Sequence, residues 1–195
     1  MAPRSSDETA RQLPFSRHTA SGSNQTPAEL EASLKSQLEK QPSKRGVILL
    51  QIPQLLSRYP DPAANRAITN RLTDPYLKLP EAHYVRGIAA AVAQDLAAGV
   101  AEANAALALR PDWEEAALLR WRASPAERRA DAAEELRAFG AAHPKAADAR
   151  LNYIRWLTAE KRHDDAQKAA DDLLADVPDN NDLRYAIAII RVETG

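Results

Sequence analysis

Four histidines, His18, His83, His143 and His163, are the side chains here best suited to hold a metal or move a proton, and their spacing argues against both. Two ligands share a helix face when they stand three or four residues apart, and no two of these do. The carboxylates Asp164, Asp165, Asp171, Asp172, Asp176, Asp179 and Asp182 gather near the C-terminus. They lack the alternating oxygen ligands and turn glycine of a calcium loop, so they read as a solvated helix face with helix caps. Gly87 and Gly99 do not form a phosphate-cradling loop, and Ser57 and Ser124 sit neither in a nucleophile elbow nor beside a histidine. No catalytic residue, metal or cofactor is expected. With no cysteine, disulfides and thiolate metal sites are excluded and the compartment is left open.

What recurs is not a catalytic motif but punctuation. Pro111, Pro144 and Pro178 stand 33 and 34 residues apart, each closing a run of apolar helix formers. A period of this length, made of two short helices, is the mark of a helical solenoid. One hairpin cannot bury its own apolar face and must stack on copies of itself. Thr26-Pro27-Ala28-Glu29 and Ser124-Pro125-Ala126-Glu127 have the composition of capping boxes, which predicts helices starting at Pro27 and at Pro125. Asp112-Trp113-Glu114-Glu115 and Pro178-Asp179 predict two further starts. Gly87, Gly99, Ala103, Ala106, Ala166 and Ala170 remove side-chain bulk where antiparallel helices would cross.

The unit from Pro80 to Pro111 ends in Ala106-Leu107-Ala108-Leu109-Arg110-Pro111, and the unit from Ala147 to Pro178 carries Ala166, Ala170 and Leu173 at the same offsets, after a His163-Asp164-Asp165-Ala166 turn. In these features residues 80 to 195 resemble a tetratricopeptide repeat protein. The large signature positions are often substituted: of W-x2-L-G-x2-Y, only Gly87 is matched outright in the first unit. The resemblance implies an all-α, right-handed helical-hairpin solenoid of about two and a half repeats, with units at 80–112, 113–146, 147–180 and a half unit at 181–195. It implies that His83 and His163 pack where the family has aromatics. It also implies that successive first helices line a concave groove with Tyr84 and Ile88, Leu118 and Arg122, Leu151 and Arg155, and Tyr185 and Ile189. Packing against neighbouring helices is the competing reading for the tyrosines and leucines. The lysines and asparagines with which co-chaperone members grip a C-terminal carboxylate are absent from the matching places.

Before the repeats, residues 26–79 read as a helical segment and a candidate eroded repeat. Leu30, Leu34 and Leu38 mark an amphipathic helix. Residues 46–59 read as a helix kinked at Pro53, with a short strand at 47–52 as the alternative because of its β-branched content. A helix over 63–72 follows Pro60-Asp61-Pro62. Residues 1–25, rich in Ser, Thr, Pro and Arg and without a signal-peptide core, read as a disordered tail.

Forty of the 195 residues are alanine and only five are phenylalanine or tryptophan, so the core is expected to rest on close contacts rather than large side chains. The formal net charge of -1 speaks against a nucleic-acid footprint. No run approaches the roughly 20 apolar residues that span a bilayer. The expectation is a soluble protein, cytoplasmic by default or periplasmic if an upstream signal has been removed, that holds a protein or peptide and catalyses nothing. Its Ala, Arg, Asp and Pro richness resembles bacterial repeat proteins, some of which work in envelope assembly or secretion. The alternative is the docking or regulatory part of a larger enzyme or assembly, truncated at the C-terminus; a helical RNA-binding repeat is a third reading.

Overall fold

The structure, a computed structural model, describes residues 25–194, with side chains through Val192. His18, Gly195 and the expected disordered tail up to residue 24 lie outside the described residues. Ten α-helices and no strand are present among those described.

The first helix, α1 (Pro27–Lys40), begins at the expected capping box. The Glu29 amide donates to Thr26 Oγ1 at 3.3 Å, and the Thr26 amide to the Glu29 carboxylate at 2.8 Å. Its Leu30, Leu34 and Leu38 are buried against α2 (Arg45–Leu56) and α3 (Pro62–Thr73). The segment around 47–52 is helix and not strand. Ile48, Leu49, Ile52 and Leu56 recur at helical spacing and are all buried, a face that a strand's alternation could not keep together. Pro53 lies inside this helix. At the head of α3, Asp61 accepts the Ala63 and Ala64 amides, each at 3.0 Å.

Seven helices follow: α4 (Pro80–Val92), α5 (Leu96–Leu109), α6 (Glu114–Ala123), α7 (Arg129–Ala142), α8 (Ala147–Ala159), α9 (His163–Asp176) and α10 (Asn181–Thr194). The turns within α4–α5 and α8–α9 are alike. Gln94 and Lys161 take left-handed φ of 63° and 60°. Just beyond them, the Asp95 amide donates to the Ala90 carbonyl and the Arg162 amide to the Leu157 carbonyl, both at 2.9 Å. This closure satisfies carbonyls that a helix C-terminus leaves open.

The α6–α7 turn departs from the expectation. Ser124 is buried and donates its hydroxyl to the Arg120 carbonyl at 2.8 Å instead of capping a new helix, and Pro125 is extended at ψ 161°. A 3-10 turn, Ala126–Arg128, comes next, so α7 starts at Arg129 and not at Pro125.

The even-numbered helices form a continuous row, α2 on α4, α4 on α6, α6 on α8 and α8 on α10, with the odd-numbered helices packed behind. Side chains of α7, α8 and α9 line a cleft of about 370 Å³, and α5 and the α6–α7 segment line another of about 290 Å³. Leucine and isoleucine fill two clusters, one over α1–α4 and one over α6–α10. Between them α5 buries only Gly99, Ala103 and Ala106.

Candidate binding groove

The helices α4, α6, α8 and α10 carry the expected groove residues at matching positions, because the hairpins repeat at 33 or 34 residues. The eight expected groove residues divide into three groups. Leu118 and Leu151 are buried, at 5 % and 7 % exposure, within the C-terminal core cluster. This corrects their assignment to the groove. Both belong to the cluster that packs α6 to α10 together.

Tyr84 and Ile88 are half-buried. The Tyr84 ring lies against Trp113 with centroids 4.7 Å apart. Burial pushes its phenol up from the usual tyrosine range, nearby Glu115 adds to that, and the charge of Arg122 opposes it. Its hydroxyl therefore shares its surroundings with side chains of α6.

Arg122, Arg155, Tyr185 and Ile189 are exposed, the last two at 72 % and 44 %. Arg155, Tyr185 and Ile189 come together with Thr158, Ala159 and Ala186 around a cleft of about 530 Å³ between α8 and α10. Arg122 and Arg155 have no carboxylate partner among the described residues. Off the groove, by contrast, Arg137, Arg150 and Arg162 are tied to Glu134, Asp176 and Asp165 at 2.6, 2.6 and 2.8 Å. Two cations are thus left free, on a wall that also exposes an aromatic and an aliphatic side chain.

The remaining candidates are structural. His83 binds the Glu102 carboxylate at 2.7 Å and the Leu77 carbonyl at 3.0 Å, fastening α4 to α5 and to the segment before it. The His143 ring lies 4.6 Å from that of Phe139. His163 is exposed, which corrects the expectation that it packs. No cluster of three metal-ligating side chains occurs among the described residues. The Ser57 hydroxyl donates to the Gln54 carbonyl at 2.7 Å, as Ser124 does to Arg120. Aspartates of the acidic stretch form ion pairs, Asp171 with Arg191 and Asp176 with Arg150. No helix among the described residues is long and apolar enough to cross a membrane.

One buried arrangement was not visible in the sequence. Glu81, 9 % exposed, is paired with Arg110, whose guanidinium lies 4.4 Å from the Trp113 ring centroid. The Cβ of any other residue at position 46 would lie 3.2 Å from the Glu81 carboxyl carbon. The arginine before Pro111 therefore clamps the joint between two hairpins and is not available to a ligand.

No protein-family model matches the chain, and no curated relative does. Solved structures do. A tetratricopeptide repeat protein from Parabacteroides merdae superposes with a TM-score of 0.58 at 16 % identity, over 86 % of this chain and 67 % of that one. The MamA protein superposes at 0.56 and 17 % identity, over 76 % and 81 %. The C-terminal part of a TPR repeat-containing protein from Cytophaga hutchinsonii gives 0.56 at 15 % identity, over 82 % and 66 %. The chain spans about two thirds of the first and third of these. At such identities the likeness establishes the fold: a divergent helical-hairpin solenoid of the tetratricopeptide type.

Proposed function

We propose that this chain is a non-catalytic interaction scaffold, which holds a segment of a protein partner against the concave wall formed by its even-numbered helices. The repeating units 80–112, 113–146, 147–180 and the half unit 181–195 build that wall. The observation that carries the proposal is an unneutralised cation beside uncovered apolar side chains, Arg155 next to Tyr185 and Ile189, with Arg122 on α6 likewise exposed and without a carboxylate among the described residues. An exposed aromatic beside a free arginine is the composition of an interface anchor.

The test compares affinity captures from the native host, made with the wild type and with an Arg155→Ala, Tyr185→Ala variant, read by quantitative mass spectrometry. Both side chains are exposed, so circular dichroism should not change, while partners are lost. An unchanged partner list from a folded variant refutes the assigned face. The 84 % exposure of Val192 on α10 favours a second reading, in which this helix docks into a larger assembly. Under that reading Val192→Glu, and not Arg155→Ala, removes the partners.

A further inference from the structure

The scaffold reading leaves the chemistry of the guest open, and the arrangement of the concave wall narrows it. Ile88 on α4, Arg122 on α6, Arg155 on α8 and Ile189 on α10 follow one another at intervals of 34, 33 and 34 residues. They occupy one position of successive packed helices and so form a single row across the wall, apolar, cationic, cationic, apolar. Both arginines are exposed and without a carboxylate among the described residues. Neighbouring packed helices lie about 8–10 Å apart, and an extended chain rises about 3.3 Å per residue. Three residues of an extended segment therefore step from one helix to the next.

On the strength of that scaffold reading, we propose that the guest is an extended acidic peptide segment whose two carboxylates stand three residues apart, with an apolar residue three positions beyond each. Each carboxylate accepts from one guanidinium, which offers the paired N–H donors that suit it. The apolar residues settle on Ile88 at one end and beside Tyr185 and Ile189 at the other. A second row on the same helices limits the alternatives. Glu115, Asp148 and Asp182 are all exposed, seven residues before Arg122, Arg155 and Ile189, which places them about 10 Å away along the helix axes. A single peptide strand fits over the arginine row without touching these acids. A nucleic-acid strand, with a charge at every phosphate, would be repelled by them.

The experiment uses the full chain and a fluorescein-labelled decapeptide, Leu-Ser-Ser-Glu-Ser-Ser-Glu-Ser-Ser-Leu, read by fluorescence anisotropy at low salt. The peptide binds; versions with lysine for glutamate, or with the two glutamates adjacent, bind at least ~10-fold more weakly. Arg122→Ala and Arg155→Ala each weaken binding roughly tenfold, and added salt weakens the wild type and flattens the differences. Arg184→Ala is the control. Arg184 is exposed on α10 and has no carboxylate partner among the described residues, but it lies about 140° around the helix from Ile189, so its loss leaves binding unchanged.

Equal binding of the lysine or adjacent-glutamate peptides, indifference to both arginine substitutions, or tighter binding of a ten-nucleotide oligothymidylate would each overturn the proposal. If the decapeptide fails to bind while the Arg155→Ala, Tyr185→Ala variant still loses its host partners, the scaffold reading stands and the acidic register is wrong.

Discussion

Gly87 and Gly99 mark where α4 and α5 come closest. A Cβ at Gly87 would lie 3.3 Å from the Gly99 carbonyl oxygen, closer than ordinary contact, and one at Gly99 would lie 3.5 Å from the Gly87 carbonyl oxygen, an ordinary contact. What else each would meet differs. At Gly99 it is the Cβ of Ala123, 3.1 Å away on α6, and that of Ala91 at 3.5 Å, atoms fixed to their own backbones. At Gly87 it is Leu119 Cδ2 at 2.9 Å, the far end of a side chain, and the Glu102 Cβ at 3.4 Å. Overpacking costs about 1–3 kcal/mol where nothing can yield, while exchanging glycine for alanine within a helix returns up to about 1 kcal/mol. Gly99→Ala should therefore lose about 1–2 kcal/mol in urea unfolding, and Gly87→Ala, whose shortest contact is with a side-chain end, should lose less. Equal costs would mean that α6 adjusts as easily as a leucine side chain.

At the scale of the element, the helix ends were the most legible part of the sequence where the cap is local, and the least where it is supplied from elsewhere. Thr26 with Glu29, and Asp61, stand next to the amides they serve, and their composition is enough to locate α1 and α3. The Ser124 segment has the same composition. There the hydroxyl is drawn back to a carbonyl of its own helix, because the residue is buried and Pro125 runs extended. Leu118 and Leu151 failed for a related reason. The repeat period identifies equivalent positions, but whether a position faces the groove or the next repeat is a matter of a few tens of degrees around the helix, which periodicity does not resolve. The exposure of the two arginines was legible because a cation does not bury itself unpaired.

Glu114 is the cap that no local pattern announces. From the first turn of α6 it accepts the Ala149 amide at 2.6 Å, satisfying the start of α8, the next helix of the row. Burial pushes its carboxyl up from the ordinary glutamate value, and this outweighs the hydrogen bonds from the Ala149 and Asp148 amides; the charges of Asp148 and Glu115 push the same way as burial. A carboxyl raised in the folded state contributes stability that is fully present below its unfolded pKa and is lost as pH rises through the folded one. Glu114→Gln keeps the accepting oxygen and removes the charge. Thermal unfolding should show it matching wild type near about pH 4 and exceeding it near about pH 7. Glu114→Ala should lose about 1 kcal/mol near about pH 4, since the Ala149 amide is left without its partner, and less near about pH 7, where the wild type has itself lost the contribution of the neutral carboxyl. A glutamine variant that is less stable at neutral pH would mean that the ionised carboxylate is favoured there after all.

Over the whole molecule, stability is laid out in series. The cluster over α1–α4 and the cluster over α6–α10 are joined by helices that meet through glycine and alanine, and each hairpin touches only its neighbours. In such a stack an element with neighbours on one side opens at a lower free energy than one held between two. Among the described helices α10 is in that position, resting on α8 and α9 through Leu183, Ile187 and Ile190. Hydrogen exchange should find the amides of α10 opening faster than those of α6 and α8. Ile187→Ala, which removes a side chain only 1 % exposed, should speed that opening further and leave α2 and α3 unchanged. The same helix provides Tyr185 and Ile189, so a guest seated between α8 and α10 adds a neighbour to α10, and its amides should slow when the acidic decapeptide is present. Protection of α10 equal to that of α8 without any guest would remove this link between binding and order, and would place the weakest joint of the solenoid elsewhere.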